Sequence, residues 1–214
     1  MKIKHLFLLA LLSLVFITSC SETKVDGPFS DWENRNLAFV DSIEQVYDVQ
    51  KIPDYEQDIV VTGNKIGRFK VESVSTLNEP VYVYYKVIDR AQDDSLTPIY
   101  TDSVEVYYRG MLMNEKVIGA LPLEPRYITR AYADLTVFDK TFENENPNLE
   151  VDKPVKFEVN RVVPGFTRIL QEMSAGDRWE VYIPSKAGYG GDNRGDLPAH
   201  STLIFDLTFH QILR

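Results

Sequence analysis

The sequence has 214 residues, 44% of them hydrophobic, and a formal net charge of -9 at pH 7. That composition suits a globular chain long enough to bury a sizeable core. Its acidic balance lacks the basic footprint that phosphate binding needs, which excludes nucleic acid as a partner. Cysteine occurs once, which excludes disulfides and cysteine–zinc sites as well.

Taken in chain order, Lys2 and Lys4 precede an apolar run over residues 6–17 that ends in Thr18-Ser19-Cys20. The run is too short for a resident membrane helix, which wants about 20 apolar residues. It has the form of a secretory signal. Cys20 stands where a bacterial lipoprotein signal places the residue to be lipidated, and the segment resembles a lipobox. Residues 1–19 are therefore expected to be removed. Residues 20–30 then form a tether, anchored through lipid on Cys20 to the outer membrane on its periplasmic or surface side. An ordinary signal peptide with a chance cysteine is the alternative.

Residues 30–33, Ser-Asp-Trp-Glu, match a capping box at a helix start. Trp32, Asn36, Phe39, Ile43 and Val46 follow at alternating four- and three-residue spacings, which predicts a helix over 31–49. Its apolar stripe has to rest on the main domain, on another subunit or on a partner, and docking on its own domain is the simplest solution. A strand is expected over 67–74, after the Gly63-Asn64 turn signal, and another over 81–88. A third runs from Ser103 into residues 109–112. Residues 113–136 hold prolines and glycine without a clear period and read as an inserted loop.

The last third holds the most regular pattern. Phe166, Ile169, Leu170 and Met173 recur at helical spacing over 164–173, with Pro164 suited to a first-turn position. Trp179, Val181 and Ile183 then alternate with Arg178, Glu180 and Tyr182, as a half-buried antiparallel strand requires. Residues 201–209 supply a second strand. A short helix lying on an antiparallel sheet is the economical core, so the fold class is α+β. His200 and His210 are isolated from one another in sequence, so a metal cluster or a Ser-His-Asp triad is not expected. The run Gly188-Tyr-Gly-Gly191 lacks the Lys-Ser/Thr of a phosphate loop, and no cofactor is expected.

Seven blocks, in this order, resemble the FKBP-type peptidyl-prolyl cis-trans isomerases: residues 106–112, 137–141, 153–157, 162–166, 173–178, 183–190 and 197–206. Ordered spacing across residues 80–214 makes the resemblance specific. The lipoprotein signal and the added N-terminal segment are similar to those of FKBP-type lipoproteins of Bacteroidetes-like bacteria. The resemblance implies a curved antiparallel β-sheet wrapped around one short α-helix, with an added N-terminal helix. It implies an isomerase domain over 80–214 with an insert at about 113–136, preceded by an extension over 31–79.

Carried over residue by residue, the resemblance implies a substrate pocket lined by Tyr108, Phe138, Asp139, Val162, Val163, Phe166, Tyr189 and Phe205, with Leu197 at the rim. Phe138, Phe166 and Phe205 would grip a proline ring. The Tyr189 hydroxyl and the Val163 N–H would hold substrate carbonyls, and Asp139 would orient Tyr108 or face the displaced carbonyl carbon. Phe157 and Phe209 read as plain core. The implied partners are proline-containing polypeptides of the cell envelope. The rival reading is a non-catalytic protein-binding or chaperone module on the same fold.

Overall fold

The computed structural model describes residues 27–52, 60–63, 65–74, 79–92, 96–113 and 135–214. The expected signal peptide, the expected lipidation position and nearly all of the expected insert lie outside these residues. Asp31–Arg214 form one compact unit, distinct from Met1–Ser30.

Helix α1 runs over Trp32–Val49, one residue later than its sequence pattern suggests. The expected capping box does not form its start. Asp31 is the N-cap, in the left-handed region with φ 51, and no side-chain cap hydrogen bond is made. The stripe Trp32, Asn36, Phe39 and Ile43 is buried as expected, but its last position falls to Tyr47 and not to Val46. At 100° per residue, Tyr47 continues the i, i+4 row from Ile43.

Strands β1 (Gly67–Lys70), β2 (Tyr82–Asp89), β3 (Ser103–Leu112), β4 (Thr136–Lys140) and β5 (Val155–Glu158) precede helix α2 (Pro164–Leu170). Strands β6 (Arg178–Ile183) and β7 (Leu203–Leu213) follow it. All seven strands belong to one antiparallel sheet ordered β1-β2-β6-β7-β3-β4, with β5 also paired to β3. The segment before residue 80 is thus tied into the sheet, because β1 is its edge strand. Bulges interrupt the ladder at Gly110/Met111 and at Val87/Asp89, and bulges of this kind bend a sheet.

Helix α2 is short because its sequence lets it be. Pro164 occupies the first turn, where its missing N–H costs nothing, and the helix ends at Leu170, three residues before the end of the apolar pattern. Met173 is fully buried all the same, at the turn leading to β6. The helix lies hard against the sheet at Gly165, where a Cβ would come within 2.5 Å of Ile183 and 2.8 Å of Val83.

β6 departs from the half-buried expectation, since all six of its residues are buried. The reason is a cover on each face. Ile183 faces α2, while its neighbour Tyr182 points the other way and meets Phe39 of α1 edge-on at 6.0 Å. Farther along that second face, residues 143–146 cover the sheet. Arg109 donates to the carbonyls of Glu143 and Asn144, and Arg178 to the carbonyl of Glu145.

Candidate functional site

Strands β3, β4, β5 and β7 curve away from α2 on one side and leave a cavity of about 550 Å³. The floor is Phe166, placed on the inner face of α2 and 4% exposed. Phe205 of β7 meets it edge-to-face at 5.0 Å, and Phe205 in turn meets Phe138 at 5.8 Å and Tyr108 at 6.0 Å. Such arrangements set the positive edge of one ring against the negative face of another, which fixes the rings relative to one another.

Gly110 makes this cluster possible. It sits on β3 at the bulge opposite β4, and a Cβ there would lie 2.5 Å from the Phe138 ring and 3.0 Å from that of Phe205. Any larger residue would displace the two rings that form the wall.

The polar part of the cavity is built from the same strands. The Tyr108 hydroxyl donates to Asp139 Oδ2, while the Lys140 N–H donates to Asp139 Oδ1 at 2.9 Å. Thr141 pins the two strands beside this pair: its N–H donates to the Tyr108 carbonyl at 2.9 Å, and its hydroxyl accepts the Tyr108 N–H at 2.9 Å. Burial first, and then the Asp139 carboxylate, hold the Tyr108 hydroxyl protonated well above the usual phenol range. Of the two roles open to Asp139, orienting Tyr108 is the one its hydrogen bonds match.

Tyr189 stands opposite, 39% exposed, in the loop after a 3-10 turn at Ser185–Ala187. That loop is held by the Gly190 N–H donating to the Ser185 carbonyl at 2.8 Å and by the His200 N–H donating to the Gly190 carbonyl at 2.8 Å. The Arg194 guanidinium lies 5.6 Å from the Tyr189 ring centroid.

Eight of the residues expected around the pocket therefore line one cavity: Tyr108, Phe138, Asp139, Val162, Val163, Phe166, Tyr189 and Phe205. Leu197 does not. It pairs with Arg194 in an isolated bridge, their N–H groups donating to each other's carbonyls at 3.0 and 2.9 Å, and Arg194 and Asp192 of the same loop line the cavity instead. Phe157 is the opposite correction. Read as plain core, it lines the cavity, edge-on to Phe166 at 5.8 Å. The alternation along β5 shows that Phe157 faces inward but not that the inside is hollow there. Arg161, Gly188 and Leu203 complete the lining without any signal in the sequence pattern.

Comparison with known proteins points one way. Residues 123–210 match the family model of the FKBP-type peptidyl-prolyl cis-trans isomerases. The chain is 33% identical over 129 residues to the outer membrane protein MIP of Legionella longbeachae, a match covering 60% of this chain and 43% of that protein. It is 31% identical over 130 residues to the FKBP-type 22 kDa peptidyl-prolyl cis-trans isomerase of Escherichia coli, covering 60% and 49%. It is 30% identical over 110 residues to the FKBP-type isomerase FkpA of Aeromonas hydrophila, covering 51% and 31%. The matched stretch thus spans half or less of each of these relatives.

Proposed function

Through residues 123–210 the chain belongs to the FKBP-type peptidyl-prolyl cis-trans isomerase family, and we propose that it isomerises Xaa-Pro bonds in polypeptides of the cell envelope. The observation that carries this reading is a cavity floored by Phe166 and walled by the edge-to-face rings of Phe138 and Phe205, with its charged residues Asp139, Arg161, Asp192 and Arg194 around these rings. Rotation about a peptide bond has a barrier of about 18–20 kcal/mol because resonance gives the C–N bond partial double-bond character. Uncatalysed Xaa-Pro isomerisation takes tens to hundreds of seconds. Lowering that barrier needs neither nucleophile nor metal. The twisted imide has lost conjugation and is less polar, so an apolar cavity that strips water from it binds the twisted form better than either planar one.

In this reading Phe166 forms the floor under the proline ring, and Phe138 and Phe205 form its sides. The Tyr189 hydroxyl and the Val163 backbone N–H donate to carbonyls of the substrate. Asp139 keeps the Tyr108 hydroxyl turned toward itself and away from the substrate nitrogen. Each 1.4 kcal/mol gained in the twisted state over the planar state gives about a tenfold rate.

The envelope location rests on two supports, the signal-like segment ending at Cys20 and the name of the Legionella relative, an outer membrane protein. A lipid on Cys20 would hold the mature chain at the membrane by its tether.

The deciding experiment is an isomerisation assay on a Xaa-Pro peptide, with and without a macrolide that occupies pockets of this family. A rate above buffer that the macrolide abolishes is expected. A protein with no such rate that still binds polypeptide would be the non-catalytic module instead.

A further inference from the structure

Helix α1 also builds a second cleft. Its outer side, residues 79–84 and the loop after β6 enclose a volume of about 570 Å³. That loop is a wall shared with the aromatic cavity: Gly188 and Tyr189 line the cavity, whereas Ser185, Lys186, Gly190 and Gly191 line the cleft. At the crest between the two, a Cβ on Gly190 would meet nothing within 4 Å. A chain can therefore cross there.

The cleft has a definite chemistry. Glu33, Asp41, Glu44 and Glu79 line it, with Lys186 the only Lys or Arg among its lining residues that are described. Glu33 lies 3.2 Å from His200, and Glu44 lies 3.2 Å from Arg68. Apolar surface runs between the carboxylates, from Val40 and Leu37 of α1 to Pro80 and Pro184. Leu37 is 46% exposed, although the opposite side of the same helix is buried.

Resting on the isomerase reading above, we propose that this cleft is a second subsite. It takes a basic, partly apolar arm of the polypeptide whose Xaa-Pro bond occupies the aromatic cavity. Charge selects this occupant. A second copy of a chain with net charge -9, or an anionic membrane surface, would bring like charge to four carboxylates, whereas Lys and Arg side chains bring the opposite. Their aliphatic stems, with intervening Leu or Val, suit the apolar strip. An extended chain advances about 3.3 Å per residue, so a few residues beyond the proline suffice to cross the glycine crest.

The test separates the subsite from the catalysis. A fluorescent peptide of alternating Leu and Lys, free of proline, and its Leu/Glu counterpart are titrated into the protein and followed by anisotropy. The wild type is expected to bind the Lys peptide at least about tenfold more tightly than the Glu peptide. The double variant Leu37→Ser, Asp41→Lys alters two exposed residues and should lose that preference, with Leu37→Ser, Asp41→Asn as a milder version. Asp48→Lys, an equal charge change on α1 outside the cleft, should keep it.

Xaa-Pro peptides carrying each arm are then assayed. The Lys arm should lower KM in the wild type but not in the double variant, while a tetrapeptide too short to reach the cleft is turned over equally by both. Equal binding of the two arms, or a preference that survives in the double variant, overturns the proposal. So does concentration-dependent self-association that the double variant abolishes, since the cleft would then be a self-interface. If isomerisation is absent but the proline-free Lys peptide binds and the variant loses it, the subsite stands and the catalytic reading falls.

Discussion

At the scale of single residues, the cavity depends on side chains that hold one another, and substitutions separate positioning from contact. Asp139 accepts from both the Tyr108 hydroxyl and the Lys140 N–H. Asp139→Ala leaves both donors without that acceptor at an exposed position where water can replace it, so stability should fall by only about 0.5–1.5 kcal/mol while the isomerisation rate falls. Tyr189→Phe keeps the ring and loses only a hydroxyl at a partly exposed position. It should leave the melting temperature unchanged and cost the rate what one hydrogen bond of about 0.5–1.5 kcal/mol supplies. Thermal melts and peptide assays on both variants check this, and an unchanged rate in both would remove the catalytic assignment. Gly110→Ala makes a sharper test. Overpacking against Phe138 and Phe205 should cost about 1–3 kcal/mol and abolish macrolide binding before it abolishes folding. The family blocks locate Tyr108, Phe138, Asp139 and Phe205 because each is a side chain at a fixed offset from a motif. Gly110 lies inside one of those blocks, yet its role is invisible there, because it consists in the absence of a side chain beside two rings brought in from other strands.

At the scale of elements, the period of α1 was legible and its surroundings were not. A four-and-three spacing reveals a buried stripe, and burying Trp32, Phe39 and Ile43 is worth about 1.5–3 kcal/mol each. What the stripe meets is set by contacts with residues far away in the chain. Trp32 Nε1 donates to Ser201 Oγ at 2.9 Å, and Asn36 Oδ1 accepts the Thr202 N–H at 2.8 Å, just where the chain turns into β7. Asn36→Ala should cost about 1–3 kcal/mol in urea unfolding, because it strands a buried N–H, while activity at low temperature persists. β6 was misread for a related reason. Alternation of apolar and polar residues normally marks one wet face, but here the polar face carries a buried row of charge. Lys86, Glu180, Asp206 and Arg109 lie side by side on β2, β6, β7 and β3, between 0% and 7% exposed. Arg178 adds two hydrogen bonds to Asp206, at 2.8 and 2.7 Å. Removing one partner from such a row leaves buried charge uncompensated, so Asp206→Ala should destabilise by about 3–5 kcal/mol in the same assay. A loss below 1 kcal/mol would mean that the row is solvated.

At the scale of the whole molecule, two properties follow from the chain as a unit. If Cys20 carries lipid, Cys20→Ser should move the protein from the membrane to the soluble fraction, and a variant that stays with the membrane overturns the anchor. The second property is a response to alkali that the aromatic richness of the sequence hints at but burial decides. Among the described tyrosines, Tyr84, Tyr85, Tyr108 and Tyr182 have hydroxyls pushed well above the usual range. Desolvation is the leading cause in each. Negative neighbours reinforce it, Glu44 for Tyr84, Asp139 for Tyr108 and Glu180 for Tyr182. In the unfolded chain the same groups release their protons near pH 10. Below that pH both states keep the protons, and these tyrosines give stability no pH dependence. Above it, the unfolded chain loses protons that the folded chain retains, so stability falls as pH rises toward the folded values. Tyrosinate absorbance should therefore reach only part of its full amplitude while circular dichroism stays native, with the remainder appearing together with unfolding. Complete titration of all twelve tyrosines in a chain that still shows native circular dichroism would place these hydroxyls in water, and the aromatic cavity around Tyr108 would then be wet rather than the dry site that binding a twisted imide requires.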